Sequence, residues 1–196
     1  MTTLRCTFPD PTLKVKRLPN YGSLPLPSRG TAYSSGLDLY AALEGVGSVE
    51  VCGGHAPEGE ESCIRKRLTD DNYEFSYAHV WGKEFYLQPG CRAFVPLGLQ
   101  VAIPPGYELQ VRCRSGLAWK HGLVLVQGVG TVDADYRGEL VALVINHGEN
   151  ELVIKHGDRI AQAVVCPVLL CAVEEVAELG ETERGGGGFG STGVKP

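Results

Sequence analysis

Apolar positions in this chain recur mostly at every second residue, in short runs separated by glycine, proline, asparagine and aspartate. Across residues 107–114, Leu109, Val111 and Cys113 fall on one side while Glu108, Gln110 and Arg112 fall on the other. That is the alternation of a strand with one buried face. Residues 140–145 are apolar without interruption, which predicts a strand buried on both faces. Further strands are predicted over 13–18, 37–43, 92–103, 123–126, 152–155 and 160–168. Turn sequences divide them: Gln88-Pro89-Gly90, Pro104-Pro105-Gly106, the run from Asn146 to Asn150, and His156-Gly157-Asp158. Helical periodicity is confined to residues 115–121, enough for one or two turns. Many short, closely spaced strands predict an all-β fold, a distorted jelly roll or β-barrel with one short helix.

Two segments break this rhythm. Residues 45–82 hold six glycines, the acids Glu58, Glu60, Glu61, Asp70 and Asp71, and the basic run Arg65-Lys66-Arg67. They read as an insertion that projects from the body, carries a hairpin near 73–81 and is available to a protein partner. Within it Cys52, His55, Cys63 and His79 form a candidate zinc set, though the spacing is loose for a finger or ribbon. The second segment is the tail. Six glycines among residues 185–193 leave little to bury, so 184–196 reads as a flexible arm appended to a β domain spanning 1–183.

Composition sharpens this division. The chain has 196 residues and 26 glycines, roughly twice the usual share of about 7%. The insertion and the arm account for much of that surplus. Lysine plus arginine number 18 against 23 acids, a net charge of −5, which disfavours direct binding to a nucleic-acid backbone. Small anions remain open, because a few arginines and backbone amides suffice to hold phosphate. The longest apolar run, 163–173, is interrupted by Pro167 and is too short for a membrane span. The first residues lack the apolar centre of a signal peptide, so a soluble, cytoplasmic protein is expected. Seven cysteines at irregular spacing, with no Cys-x-x-Cys pair, read as reduced thiols.

Several stretches carry candidate chemistry. Arg114-Ser115-Gly116 follows a strand and opens the short helix, so a guanidinium, a hydroxyl and helix-start amides converge as an anion site or, more simply, a helix cap. The stretch from Gly130 to Gly138 places Asp133 and Asp135 at a tight turn between two predicted strands. A carboxylate there can orient and deprotonate water, although aspartates beside glycines usually just make turns. Gly157-Asp158-Arg159-Ile160-Ala161-Gln162 reads as a turn into a strand, and its neighbouring pair Asp158 and Arg159 reads as structural more often than catalytic. In the arm, Phe189 can stack on a flat ring, while Arg184, Ser191 and Thr192 can donate to phosphate.

Taken in order, these stretches resemble the five motifs of the trimeric deoxyuridine triphosphatases (dUTP pyrophosphatases). Residues from Ser35 to Ala42, with Asp38, look like the first and Arg114-Ser115-Gly116-Leu117-Ala118 the second. Gly130–Gly138, Gly157–Gln162 and Arg184–Gly193 look like the third, fourth and fifth. The resemblance implies a jelly-roll subunit, a homotrimer with sites between subunits, and Mg²⁺-dependent hydrolysis of dUTP to dUMP and pyrophosphate. It makes Asp133 the residue that orients water for attack on the α-phosphorus and holds the 3′-hydroxyl. It places Tyr136 beneath the sugar and gives uracil to the hairpin between Val126 and Val141, with Gln127, Thr131, Val132 and Val141 around the base. Arg114, Ser115, Gly116 and Gln162 would bind the triphosphate, and Asp38 would act on Mg²⁺ through water. The arm would close over the site, with Phe189 and Gly190 on uracil and Arg184, Ser191 and Thr192 on phosphate. Gln127 stands where the pattern leads one to expect asparagine. A dCTP-deaminating relative would need a glutamate in the stretch that here reads Thr131-Val132-Asp133-Ala134-Asp135-Tyr136-Arg137-Gly138.

Overall fold

The computed structural model describes residues 11–52, 67–68 and 74–188. In chain order these form β1 (Lys14–Arg17), β2 (Leu37–Tyr40), β3 (Ser48–Cys52), β4 (Arg67–Leu68), β5 (Glu74–His79), β6 (Glu84–Leu87) and β7 (Arg92–Pro96). There follow β8 (Leu99–Ala102), β9 (Tyr107–Cys113), α1 (Ser115–His121), β10 (Leu123–Leu125), β11 (Val129–Val132), β12 (Val141–Asn146), β13 (Leu152–Lys155) and β14 (Arg159–Pro167). One sheet runs β10-β12-β7-β3-β5-β4 and another β11-β9-β14-β2, with two-stranded ribbons β1-β8 and β13-β6. Inward residues of both sheets, among them Leu39, Val95, Leu109 and Val144, join one core with Tyr21 and Phe85. This is the predicted distorted jelly roll; among the described residues the sheets do not close into a barrel.

Residues 92–103, read as one strand, are two. Gly98 adopts φ +63°, and a Cβ there would lie 2.7 Å from that of Ala42. The chain can turn there only without a side chain. β7 therefore stays in the six-stranded sheet while β8 pairs with β1.

Two further expectations are corrected. In β12, Ala142, Val144 and Asn146 are buried while Val141 is 37% exposed and Leu143 and Ile145 are half-buried. The strand is thus buried on one face within the chain, and its outward face is apolar. The expectation that all of 45–82 stands off the body fails at both flanks. β3 pairs with β7 and β5 pairs with β3, and Val49, Val51 and Ala78 enter the core. The alternation of Ser48, Val49, Glu50, Val51 and Cys52 carried that signal, masked by the surrounding glycines and acids. At the other end, exposure begins at Leu169, well before the glycine run.

Candidate active site

Three neighbouring strands assemble the centre of the site. Gln162 on β14 stands opposite Asp38 on β2 and opposite Arg112 on β9. Side chains opposite one another share a face, so Asp38 and Gln162 point the same way. Arg114, two residues beyond Arg112, continues that face at the strand end. Gln162 donates Nε2–H to the Cys113 carbonyl at 2.8 Å. Gly36 makes room for this: a Cβ at position 36 would collide with Gln162 Oε1.

Arg159 reaches the same face through an irregularity. Ala161 pairs with Leu39, yet Arg159, not Ile160, pairs with Tyr40. The extra residue is a β-bulge, which re-aims the side chains on one side of it. Without it, the period of two would put Arg159 on the face opposite Gln162. With it, Arg159 Nη1 meets Asp38 Oδ2 at 3.1 Å while Arg114 Nε meets Asp38 Oδ1 at 3.2 Å. Arg114 Nη1 also donates to the Arg159 carbonyl at 2.8 Å.

These groups line a cleft of about 480 Å³ together with Ser34, Ser115, Gly116, Lys120 and His121. Helix α1 stops at Gly122, whose left-handed φ of 69° lets its N–H bond back to the Ala118 carbonyl. The helix is therefore only long enough to present Gly116 and Lys120, one turn apart, to the cleft. Three cationic side chains, Arg114, Arg159 and Lys120, outnumber the single carboxylate of Asp38. Such a cleft suits a polyanion with several oxygens, above all an oligophosphate. Sequence reasoning had read Arg159 as structural and had not singled out Ser34, Lys120 or His121. Helical spacing from Gly116 and Leu117 was the available signal for the last two.

The donor set also bears on a metal. Among the described residues no group of three His, Cys, Asp or Glu side chains converges. Among the described residues that line the cleft Asp38 is the one acid, and both its oxygens meet guanidinium groups. That arrangement does not build a protein cage for an ion. It fits Mg²⁺, which keeps water and binds phosphate oxygens with one or two carboxylates.

The third stretch lies elsewhere. β11 pairs with β9 in the four-stranded sheet, whereas β12 pairs with β10 and β7 in the other. The predicted hairpin between Val126 and Val141 is therefore an arch between sheets, corrected by these pairings. β11 lies at the edge of its sheet, so among the described residues one of its edges has no strand partner. Gln127, Thr131, Asp133 and Tyr136 are exposed, and Val132 is half-buried. Gln127 lies across β11, because a Cβ on Gly130 would sit 2.8 Å from its Nε2. The Tyr136 N–H closes the turn on the Asp133 carbonyl at 3.1 Å, and its hydroxyl donates to the Glu139 carbonyl at 2.9 Å. A Cβ at Gly138 would collide with that ring, so glycine seats the tyrosine.

Val132 pairs with Leu109, five residues before Arg114. At ~3.3 Å per residue the two stretches are offset by ~16 Å along the sheet. The structure thus brings together Asp38, Arg114, Ser115, Gly116 and Gln162, and sets Thr131 and Val132, with Asp133 after them, further along the sheet; Gln127, Tyr136 and Val141 are not among the residues that line the cleft. Arg184 is exposed in a local turn, with Nε donating to the Gly187 carbonyl at 2.8 Å. Phe189, Gly190, Ser191 and Thr192 lie outside the described residues, as do His55 and Cys63. Cys52 and His79 do not converge. His79 pairs with Ser48, four residues from Cys52 along β3, or ~13 Å, and Cys52 instead meets Arg92 Nη2 at 3.3 Å.

Known proteins resemble this chain. A dUTPase family model matches residues 80–193. A deoxyuridine 5′-triphosphate nucleotidohydrolase of Syntrophotalea carbinolica is 42% identical over 182 residues, covering 93% of this chain and 97% of that protein. The protein of the same name from Brucella melitensis is 41% identical over 184 residues, covering 94% of each. A dUTPase of Staphylococcus bacteriophage 80alpha, solved with dUpNHpp, shares the fold with a TM-score of 0.67 at 24% identity, covering 93% of this chain and 99% of that chain. On the family match and the two close relatives, the chain belongs to the dUTPase family.

Proposed function

We propose that this protein hydrolyses dUTP to dUMP and pyrophosphate in a homotrimer whose active sites lie between subunits, thereby limiting dUTP and supplying dUMP for dTMP synthesis in the cytoplasm. The observation that carries this reading is the cationic cleft that groups Asp38, Arg114 and Gln162. The ~16 Å offset of Asp133 from that cleft supports the intersubunit arrangement, since a second copy can supply the carboxylate the first lacks.

In this reading Arg114, Ser115, Gly116 and Gln162 grip the triphosphate of one subunit's site. The arch of a neighbouring subunit receives the nucleoside. The unpaired edge of β11 offers donors and acceptors to the planar edge of uracil, with Gln127, Thr131, Val132 and Val141 around it. Tyr136, seated on Gly138, packs under the deoxyribose and leaves no room for a 2′-hydroxyl. Asp133 orients a water and takes its proton as the oxygen attacks the α-phosphorus. The P–O bond to the β-phosphate breaks, and pyrophosphate leaves. Asp38 would hold Mg²⁺ through water, and the ion would supply charge neutralisation to the triphosphate when bound. The arm then covers the site, with Phe189 and Gly190 on the base and Arg184, Ser191 and Thr192 on phosphate, excluding bulk water.

Single-turnover assays with dUTP, dCTP and dTTP and Mg²⁺ test this. Pyrophosphate release from dUTP alone is expected; its absence, or equal use of all three, overturns the proposal. Asp133→Asn removes the base but not the phosphate grip. It should lower turnover by at least about a hundredfold while nucleotide affinity stays within a few-fold of the parent.

A further inference from the structure

One histidine outside the cleft is tied into the strand ends that carry Asp38 and Arg159. His156 opens the turn between β13 and β14, and its side chain is 13% exposed. Its Nδ1 accepts the Leu43 N–H at 2.9 Å. Its Nε2 faces Glu44 Oε2 at 3.7 Å. Glu44 in turn meets Lys83 Nζ at 2.9 Å, and that hydrogen bond keeps its carboxyl below the usual glutamate range. The backbone is interlocked as well. The His156 N–H donates to the Lys83 carbonyl at 2.8 Å, Gly157 N–H to Ala41 at 2.9 Å, and Ala41 N–H to Asp158 at 2.9 Å.

The backbone bonds are open to any residue, but the acceptor for Leu43 N–H is what this side chain adds. Leu43 is 1% exposed, and an amide left without its acceptor at such a site costs free energy. An Nδ1 acceptor requires the proton on Nε2, the nitrogen that faces Glu44. The turn leads directly into Arg159, whose guanidinium meets Asp38 and whose carbonyl receives Arg114. Its position therefore sets the cationic arrangement of the cleft. The charged groups that face His156 are Glu44 and, through it, Lys83. Lys155 and Asp158 belong to its own turn, where Lys155 N–H donates to Asp158 Oδ2 at 2.8 Å.

With the cleft taken as the phosphate site proposed above, the geometry points to His156 as a positioning residue. In its Nε2–H form it locks the 155–158 turn onto the end of the Asp38 strand and so holds Arg159 and Arg114 in place for phosphate. Loss of the Nδ1 acceptor releases the lock. Chemistry at the α-phosphorus is untouched, so the effect falls on affinity.

Two substitutions separate the ring nitrogens in the full chain. In His156→Asn, Oδ1 stands where Nδ1 stood and keeps the Leu43 acceptor. In His156→Gln, the amide reaches toward Glu44 and Leu43 loses its acceptor. We would measure KM and kcat for dUTP, and calorimetric affinity for inorganic triphosphate in chelator without metal, all at one pH. His156→Asn should match the parent in KM and kcat. His156→Gln should raise KM about five-fold with kcat little changed, and triphosphate affinity should track KM in each protein. Parent-like behaviour of His156→Gln, or equal impairment of both variants, overturns the inference. If His156→Gln does not fold, His156→Asn decides alone: parent-like KM and triphosphate affinity support the inference, and a raised KM with weakened triphosphate binding overturns it. A parent that binds triphosphate in this pattern but leaves dUTP intact would instead sink the proposed activity.

Discussion

At the scale of single residues, the site depends on what certain positions lack. Gly36 has no Cβ, and Gln162 occupies the space that one would fill. Gly36→Ala should push Gln162 off the Cys113 carbonyl and raise KM for dUTP by about tenfold. Gln162→Ala alone should weaken binding, and the double variant should be no worse than Gln162→Ala, because the collision has gone. Additive losses across this cycle would show that Gly36 acts by another route. Little of this was readable beforehand. Asp38, Arg114 and Gln162 were legible as a resemblance, but the steric dependence of one motif on another is a contact between strands far apart in sequence. Residue spacing carries no trace of it.

At the scale of elements, strands with clear alternation were legible and irregular ones were not. The β9 alternation Leu109, Val111, Cys113 predicted both the element and its inward face, because a period of two follows directly from the pleat. The bulge at Ile160 was invisible, since apolar residues run through 160–161 whichever way they point. Yet that bulge is what brings Arg159 to Asp38. Arg159, read as structural from its neighbour Asp158, proved to be a wall of the cleft. The β6–β13 ribbon permits a prediction of its own. Glu84 stands opposite Lys155, at 2.9 Å between Oε2 and Nζ. The hydrogen bond from Lys155, and then that from Tyr86, lower the Glu84 pKa, while Glu84 raises that of Lys155. A lowered carboxyl contributes stability above its unfolded value and loses it as pH falls through the folded one. A raised lysine contributes below its unfolded value and loses it as pH rises through the folded one. The Tm gap between the parent and Glu84→Gln should therefore be widest between these limits and close at both ends. Since both groups are solvated, the gap should be small. A gap constant with pH would mean that packing, not charge, separates the two proteins.

At the scale of the whole molecule, two features of the isolated chain call for the same remedy. The cleft lacks Asp133, and the outward face of the six-stranded sheet is largely apolar where β10, β12 and β7 lie side by side. Along that face Val124 stands opposite Ile145, Leu143 opposite Phe94, and Val141 opposite Pro96. Phe94 is 43% exposed and Val141 37% exposed, a contiguous patch of the kind that marks a protein interface. The uninterrupted apolar run 140–145 suggested burial on both faces. Within one chain that holds for one face only, and a trimer built on this patch would supply the other. Phe94→Asp tests this directly. The new carboxylate would stand beside Leu143 on one side and Glu50 on the other, leaving the inward core residues Ala93 and Val95 untouched. Sedimentation should show a species smaller than the parent, with the β circular-dichroism signal kept. Turnover of dUTP per chain should fall by more than about tenfold, because in the proposed intersubunit site each cleft depends on its neighbour's Asp133. A variant that still sediments with the parent and turns over normally would place the intersubunit contact on another face. A variant that dissociates yet keeps full turnover would remove the reason for an intersubunit site altogether.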